Sequence, residues 1–120
     1  MYGLRKPKNA VRGTDVAGTV EAPGTGVRRF QPGKEVFGWC SELGGAFAEY
    51  ASVSEEALAP KPTNLTFEQA AAVPMAGFIA LQALRDHGNV RAGQKVLING
   101  ASGGIGTFAV CRSPRHSAQR

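Results

Sequence analysis

The stretch VLINGASGGIGTFAV (96–110) decides the fold. With the preceding lysine its first part reads KVLIN (95–99), which is short and apolar and predicts a strand buried on both faces of a parallel sheet. GASGGIG (100–106) then follows that strand and opens a helix, which is the context that a phosphate-binding turn requires. Glycine lets the backbone turn tightly and approach a pyrophosphate, while the free amides of the next helix face the anion. The stretch predicts a dinucleotide-binding turn, with a plain strand-to-helix turn as the alternative.

Two helices are predicted before this strand. The run Thr66-Phe67-Glu68-Gln69 is typical of a capping box, and the short helix that follows is expected to stop or bend at Pro74. The run MAGFIALQALRDH (75–87) predicts a second helix that ends near Gly88. Its apolar stripe consists of Met75, Phe78, Ile79, Leu81 and Leu84.

The first sixty residues have the pattern of β structure. Short, partly β-branched runs separated by Gly/Pro turns predict strands at 14–22, 34–40 and 46–53. Short strands at this spacing favour a small β barrel or sandwich. We expect Phe37, Trp39, Cys40 and Tyr50 to pack inside it.

Composition limits the classes of function. The chain of 120 residues has a net charge of +5, yet seven of its 14 Lys and Arg residues lie in 1–12 and 112–120, where no acid occurs. The stretch between them is slightly acidic, so we expect no basic face and no nucleic-acid partner. Without a long apolar run or an apolar signal core, we expect a cytoplasmic protein with no membrane partner. Cys40 and Cys111 lie far apart and are expected to be reduced.

Four blocks of the sequence resemble one protein family. They are GTDVAGTVEAPGTGVRRFQPGKEVFG (13–38), GGAFAEYASV (44–53), FEQAAAVPMAGFIALQAL (67–84) and VLINGASGGIG (96–106). The blocks are similar, in order, to the zinc-independent quinone oxidoreductase (zeta-crystallin-like) branch of the medium-chain dehydrogenase/reductase superfamily. Four blocks in the right order are much more specific than the glycines alone.

This resemblance implies an α/β fold class. It implies a partial GroES-like β domain at 1–65, followed at 66–110 by the first strand and helices of a Rossmann-type dinucleotide-binding domain. It also implies NADPH as the cofactor, a small-molecule quinone or enone as the substrate partner, and leaves a homo-oligomer open. The cofactor-binding residues carried over from the family are Gly100, Ser102, Gly103, Gly104, Ile105 and Gly106. No catalytic side chain is assigned.

A metal site is not expected. Zinc alcohol dehydrogenases of the same superfamily carry a Gly-His-Glu block, whose histidine binds the catalytic metal, and a structural site of four cysteines. The equivalent block here is Gly13-Thr14-Asp15, and the chain has no cysteine cluster. Without imidazole or thiolate at those places, Lewis-acid alcohol chemistry has no ligands.

The last ten residues, 111–120, do not resemble the family. Relative to it the chain is expected to be truncated at both ends, with Met1 an internal methionine. One permitted nucleotide spelling of 111–120 reads, in a shifted frame, as Gln-Ile-Ala-Lys-Ala-Phe-Gly-Ala-Glu, which is similar to the family's continuation of this helix. We therefore hypothesise a frameshift near Val110 that wrote an aberrant tail, and the coding DNA tests this.

Two interpretations of function stay open. The first is a fragment of an NADPH-dependent oxidoreductase, with negligible NADPH affinity in the isolated chain because the neighbours of strand 95–99 are missing. The second is a non-enzymatic remnant that at most self-associates through an exposed sheet edge. A basic nucleic-acid binder is the least favoured class.

Overall fold

A computed structural model of the chain describes residues 11–40 and 45–112. The chain divides into two compact units, one up to Pro74 and one from Met75. The domain limits predicted from the sequence, at 65 and at 110, stay a prediction. Residues 113–120 of the predicted aberrant tail lie outside the described residues, whereas Cys111 and Arg112 belong to a helix.

An antiparallel sheet with the strand order β1-β2-β3 forms the centre of the first unit. Its strands are β1 (Asp15–Thr19), β2 (Glu35–Trp39) and β3 (Leu58–Pro60). In the register Ala17 lies opposite Phe37 and Val36 lies opposite Pro60. Two of the predicted strands are confirmed, because β1 and β2 fall inside 14–22 and 34–40.

The third strand lies elsewhere than predicted. Residues 46–53 form no strand, and β3 instead follows a 3₁₀ turn at Glu55–Ala57. Gly38 explains this pairing, because a Cβ on Gly38 would lie 3.0 Å from the Leu58 Cα and would collide with the Ala57 carbonyl oxygen. Only a bare glycine in β2 lets this part of the chain approach so closely.

Burial in the first unit is concentrated in a few side chains. Phe30, Val36, Cys40 and Ala70 are buried, with Cys40 only 2% exposed, which confirms the prediction that Cys40 is a core residue. The predicted packing roles of two aromatic residues are wrong. Trp39 is 39% exposed at the end of β2, and Tyr50 is 75% exposed because the segment around it joins no sheet.

Lys61 connects β2 to the start of the first helix. Its ammonium group lies 3.0 Å from Glu35 Oε2 and donates to the Leu65 carbonyl oxygen at 2.7 Å. The same group lies 5.2 Å from the centre of the Phe67 ring. Only 6% of the Lys61 side chain is exposed, and its ammonium group has hydrogen-bonding partners within the protein.

The predicted capping box is confirmed. Helix α1 (Phe67–Ala71) begins after Thr66, whose hydroxyl oxygen accepts the Gln69 N–H at 3.3 Å. In return, the Gln69 side-chain oxygen accepts the Thr66 N–H at 3.0 Å. Two N–H groups that the helix itself leaves unpaired are thereby satisfied.

The second unit is mostly helical. Helix α2 (Pro74–Gln82) continues into a π-helical turn (Ala83–His87) that ends at Gly88, as predicted, and α3 (Gly104–Arg112) follows the glycine-rich turn. The stripe predicted on α2 is not a buried face, because Phe78 is 57% exposed and Ala80 is the buried residue. Among the described helices, none has the length and apolar character needed to span a bilayer.

Residues 95–99, predicted to be a strand, form none in the structure. They take part in no sheet among the described residues, and Leu97 is 96% exposed. A strand that is covered on both faces needs a neighbour on each side, and the described part of the chain supplies none. The exposure of this stretch agrees with the expectation that its neighbours are missing, whereas the predicted strand itself does not form; the α/β class, with its sheet first and its helices after, is confirmed.

Candidate functional site

The candidate site is the turn between residues 99 and 104. The backbone at Gly100 has φ = +72°, a left-handed conformation that glycine adopts without strain. The Gly103 N–H then donates to the Gly100 carbonyl oxygen at 3.0 Å and closes a tight turn. Helix α3 begins at the next residue. The sequence thus produces a reversal of the chain that ends at a helix amino terminus.

Gly106 holds the turn against the helix. A Cβ on Gly106 would lie 2.7 Å from the Ala101 Cα and would also collide with the Gly100 carbonyl oxygen. Gly106 is buried although it has no side chain. This glycine is therefore required by the packing of the turn itself, whatever the turn binds.

Gly104 is different, because the fold does not need it. A Cβ built on Gly104 would have no atom within 4 Å, so space is open in front of the first residue of α3. The first N–H groups of a helix have no partner inside the helix, and the helix dipole makes this end positive. The amides of Gly104, Ile105 and Gly106 are in that position. Gly104 and Ile105 are exposed, so the amino-terminal end of α3 is accessible to an anion.

Side chains around the turn leave it open. Ser102 is exposed and Ile105 is 44% exposed. The Thr107 hydroxyl donates to the Gly103 carbonyl oxygen at 2.8 Å, so it points back at the turn. Three of the six predicted cofactor-binding residues, Gly100, Ser102 and Gly103, lie in the turn, and the other three, Gly104, Ile105 and Gly106, form the first turn of α3. Their role in cofactor binding stays a prediction, and the turn fits the diphosphate part of a dinucleotide because a Cβ on Gly104 would fill the open space.

Cys40 and Asp15 lie in the first unit. Burial raises the pKa of the Cys40 thiol above its ordinary value of 9.0, and the nearby Asp15 carboxylate adds to the effect. Cys40 is thus a neutral thiol at pH 7, which suits packing rather than nucleophilic attack. Asp15 accepts a hydrogen bond from the Thr14 hydroxyl at 3.0 Å. In the described residues no three His, Cys, Asp or Glu side chains come together as a metal site, and zinc independence stays a prediction.

Sequence reasoning missed the contacts of Glu55. Its carboxylate oxygen Oε2 accepts the N–H groups of Arg28 at 3.2 Å and Arg29 at 3.1 Å. The Arg29 guanidinium donates to the Glu55 carbonyl oxygen at 3.0 Å and lies 5.2 Å from the Phe30 ring. These bonds tie the β1–β2 loop to the 3₁₀ turn. No local pattern in the sequence predicts them, because the partners are more than twenty-five residues apart.

Comparison with known proteins agrees with the geometry. The family model of the alcohol dehydrogenase GroES-like domain matches residues 1–63. The quinone oxidoreductase of Mus musculus is 41% identical over 103 residues, which cover 86% of this chain and 30% of that protein. This chain thus spans about a third of the length of the curated relatives that it matches.

Solved structures give the same grouping. The quinone oxidoreductase from Coxiella burnetii is 36% identical with a TM-score of 0.77, over 82% of this chain and 32% of that chain. The CurK enoyl reductase is 31% identical with a TM-score of 0.74, over 83% of this chain and 30% of that chain. This chain belongs to the alcohol dehydrogenase GroES-like domain family, and its relatives place it with the quinone oxidoreductases of the medium-chain dehydrogenase/reductase superfamily.

Proposed function

We propose that this chain is part of an NADPH-dependent oxidoreductase that reduces a quinone or an activated enone without zinc. The observation that carries the proposal is the open space at the Cβ position of Gly104, the first residue of α3, whereas the positive φ of Gly100 and the close packing of Gly106 are requirements of the fold. The names of the relatives, quinone oxidoreductase and enoyl reductase, support this class of substrate.

The residues of the turn would bind the diphosphate of the cofactor. The amides of Gly104, Ile105 and Gly106 donate to phosphate oxygens, and the positive end of α3 stabilises the charge. Ser102 and the short side chains beside it leave room for the dinucleotide to approach the backbone. When bound, NADPH supplies the hydride, and the protein supplies position and electrostatics.

We extend the proposal to zinc independence, to the location of the protein and to the inactivity of the isolated chain. Zinc independence is supported by Gly13-Thr14-Asp15, which offers no imidazole at the place of the zinc ligand in alcohol dehydrogenases of the superfamily. We also propose a cytoplasmic location, supported by two free cysteines. The isolated chain is expected to be inactive, since α2 is apolar on nearly all sides yet leaves Phe78 and Ile79 exposed.

A chimeric enzyme tests this function. Residues 13–110 would replace the matching segment of the mouse quinone oxidoreductase, and NADPH oxidation would be followed with a quinone and with an enone. We expect quinone-dependent oxidation that survives a chelator. In the matched variant Gly104→Val, the KM for NADPH is expected to rise at least about tenfold, because the added side chain would keep phosphate away from the backbone amides and weaken their hydrogen bonds to it.

Only chimeras whose circular dichroism shows that they are folded are used to decide the outcome. A folded chimera that oxidises no NADPH, or one in which Gly104→Val changes nothing, would contradict the proposal. Loss of activity in the chelator with zinc in the purified protein would contradict the zinc-independent part.

A second candidate function is self-association of a non-enzymatic remnant. The 96% exposure of Leu97 and the 80% exposure of Phe47 favour it, because exposed apolar strand-like segments tend to pair with other chains. Sedimentation velocity across a range of concentrations distinguishes the two candidates. A chain that remains monomeric while its chimera is active leaves only the oxidoreductase.

A further inference from the structure

We propose that a slot beside β1 binds an extended basic peptide, which adds to the sheet as a new strand. The β1 slot is a cavity of about 700 Å³ between β1 and the segment 46–54. It lies entirely in the first unit, so the proposal does not depend on cofactor binding at the glycine-rich turn.

One wall of the β1 slot is the edge of β1 that faces away from β2. The backbone N–H of Cys40 donates to the Thr14 carbonyl oxygen at 2.6 Å, and the backbone N–H of Val20 donates to the Lys34 carbonyl oxygen at 2.9 Å. In an antiparallel pair, the backbone N–H and C=O groups of successive residues point alternately toward and away from the partner strand. The backbone groups of the even-numbered residues therefore face β2, and those of Ala17 and Thr19 face the slot. Among the described residues, no backbone bond reaches Ala17 or Thr19 from that side.

The segment 46–54 forms the opposite wall and is fixed at both ends. At one end the N–H groups of Ala46 and Phe47 donate to the carbonyl oxygens of Gly13 and Arg12, at 3.2 and 2.8 Å. At the other end the chain reaches Glu55, whose carboxylate holds the loop that follows β1. The segment thus runs from the start of β1 to the loop beyond its end, and the space between them is kept open along the strand.

The lining of the β1 slot combines apolar side chains with acidic ones. Phe30, Val36, Leu58 and Ala71 line the cavity and would cover the small side chains of an inserted strand. Among the described lining residues there are acids but no Lys, Arg or His. The acids are Asp15, Glu21, Glu49, Glu55 and Glu56.

This charge selects the occupant. Glu21, Glu49 and Glu56 are exposed or near the surface and make no ion pair within the described residues, so they are available to a cationic partner. A second copy that paired through its own β1 edge would bring a second set of acids against the first, which is unfavourable. A basic strand gains both main-chain bonds at Ala17 and Thr19 and charge pairing with these acids, which is the usual division between affinity and specificity in strand addition.

The test uses three labelled peptides and the full chain at low salt. The first peptide alternates Val and Thr and carries Lys at each end, the second has N-methyl groups on alternate amides, and the third has Glu in place of Lys. We expect the first peptide to bind, and the other two to bind at least about tenfold more weakly, since the second lacks donors and the third has the wrong charge. Amide exchange at Ala17 and Thr19 should slow when the first peptide is bound.

Matched protein variants separate the slot from general charge effects. Glu49→Gln should weaken binding of the first peptide about threefold, whereas Asp86→Asn, the same change of charge in the second unit, should leave it unchanged. Equal binding of the N-methylated peptide, or slowed exchange only in the unit from Met75, would overturn the proposal. Dimers that protect Ala17 and Thr19 without any peptide would also overturn it, because the occupant would then be a second copy.

Discussion

The two units of the chain differ in what they bury. The first unit covers Phe30, Val36 and Cys40 beneath a paired sheet. In the described part of the second unit the buried residues are small, namely Ala80, Gly106 and Ala109, while Leu97 and Phe78 are exposed. Both units have sequences with a comparable content of apolar residues, so apolar content alone does not produce a core.

Burial of an apolar segment in this chain therefore depends on partners that are distant in the sequence. Strand β2 has a neighbour on each side. Gly38 leaves room for β3 on one side, and the long loop after β1 brings the chain back so that β2 pairs with β1 on the other. Residues 95–99 have an equally good strand pattern but meet no neighbour among the described residues. In both units, however, a glycine decides how closely two stretches of backbone approach, and this shared feature gives the sharpest experiments.

Gly38→Ala is expected to have the largest effect on stability. The new Cβ would collide with the Ala57 carbonyl oxygen, which belongs to backbone and cannot move aside cheaply. We expect a loss of about 3 kcal/mol or more in the free energy of unfolding of the first unit, measured by urea denaturation. Gly18→Ala in β1, where a Cβ meets nothing within 4 Å, is the matched control. Because Gly→Ala by itself lowers the entropy of the unfolded chain and should stabilise the fold, equal losses from both variants would contradict the assignment of the Gly38 effect to close approach.

Gly106→Ala should disrupt the second unit in the same way. A Cβ at this position would lie 2.7 Å from the Ala101 Cα, so the turn at 100–103 would have to open. We expect about 2 kcal/mol of destabilisation by circular dichroism melting, whereas Gly104→Ala should be neutral or slightly stabilising in the chain without cofactor. If Gly104→Ala were the more damaging variant, the assignment of Gly104 to a ligand and not to the fold would be wrong.

Lys61→Met should have a moderate effect on the first unit. The variant keeps the apolar stem but leaves the Leu65 carbonyl oxygen and the Glu35 carboxylate without the ammonium group. Because Glu35 is 50% exposed and can turn to water, we expect a loss of only about 1–2 kcal/mol in urea denaturation. The exposed Lys34→Met is the control, and a similar loss there would show that net charge is responsible.

The smallest effects concern the start of α1. Thr66→Ala removes the capping hydroxyl and should cost about 1 kcal/mol in thermal or urea unfolding, with Thr63→Ala as a neutral control.

Glu68, in the first turn of α1, should make the stability depend on pH. Its pKa lies below the ordinary value of 4.5 because its carboxylate accepts hydrogen bonds from its own backbone N–H and then from Thr66. A lowered pKa stabilises the folded state above that value and ceases to do so as the pH falls below it. We therefore expect the free energy of unfolding to fall more steeply below pH 4.5 in the parent chain than in Glu68→Gln. Equal pH dependence in the two proteins would contradict this expectation.

Local signals in the sequence predicted much of this structure. The capping box at Thr66, the break at Pro74 and the end of the helix at Gly88 depend on neighbours within a turn, and all three are confirmed. The tight glycine-rich turn and the helix after it also follow from adjacent residues. The sequence could not give β3, because its pairing depends on an approach between Gly38 and Ala57 that no short window contains.

The candidate site shows the same division. The six candidate residues were predicted from spacing and resemblance, and the structure places them in the glycine-rich turn and the first turn of α3. The contacts of Glu55 with Arg28 and Arg29, and the burial of Lys61, were not predictable because their partners are distant or their charge suggested exposure. The edge of β1 at Ala17 that faces away from β2 became visible only after the register of β1 and β2 was known.

The central claim is that the first amides of α3 accept the diphosphate of a dinucleotide, and backbone amide chemical shifts test it most directly. NADPH would be titrated into the isotopically labelled full chain and into Gly104→Val. We predict shifts confined to the amides of 103–106 that do not saturate below about 1 mM and that vanish in the variant. Micromolar saturation, shifts centred elsewhere in the chain, or an unchanged response in Gly104→Val would contradict the account.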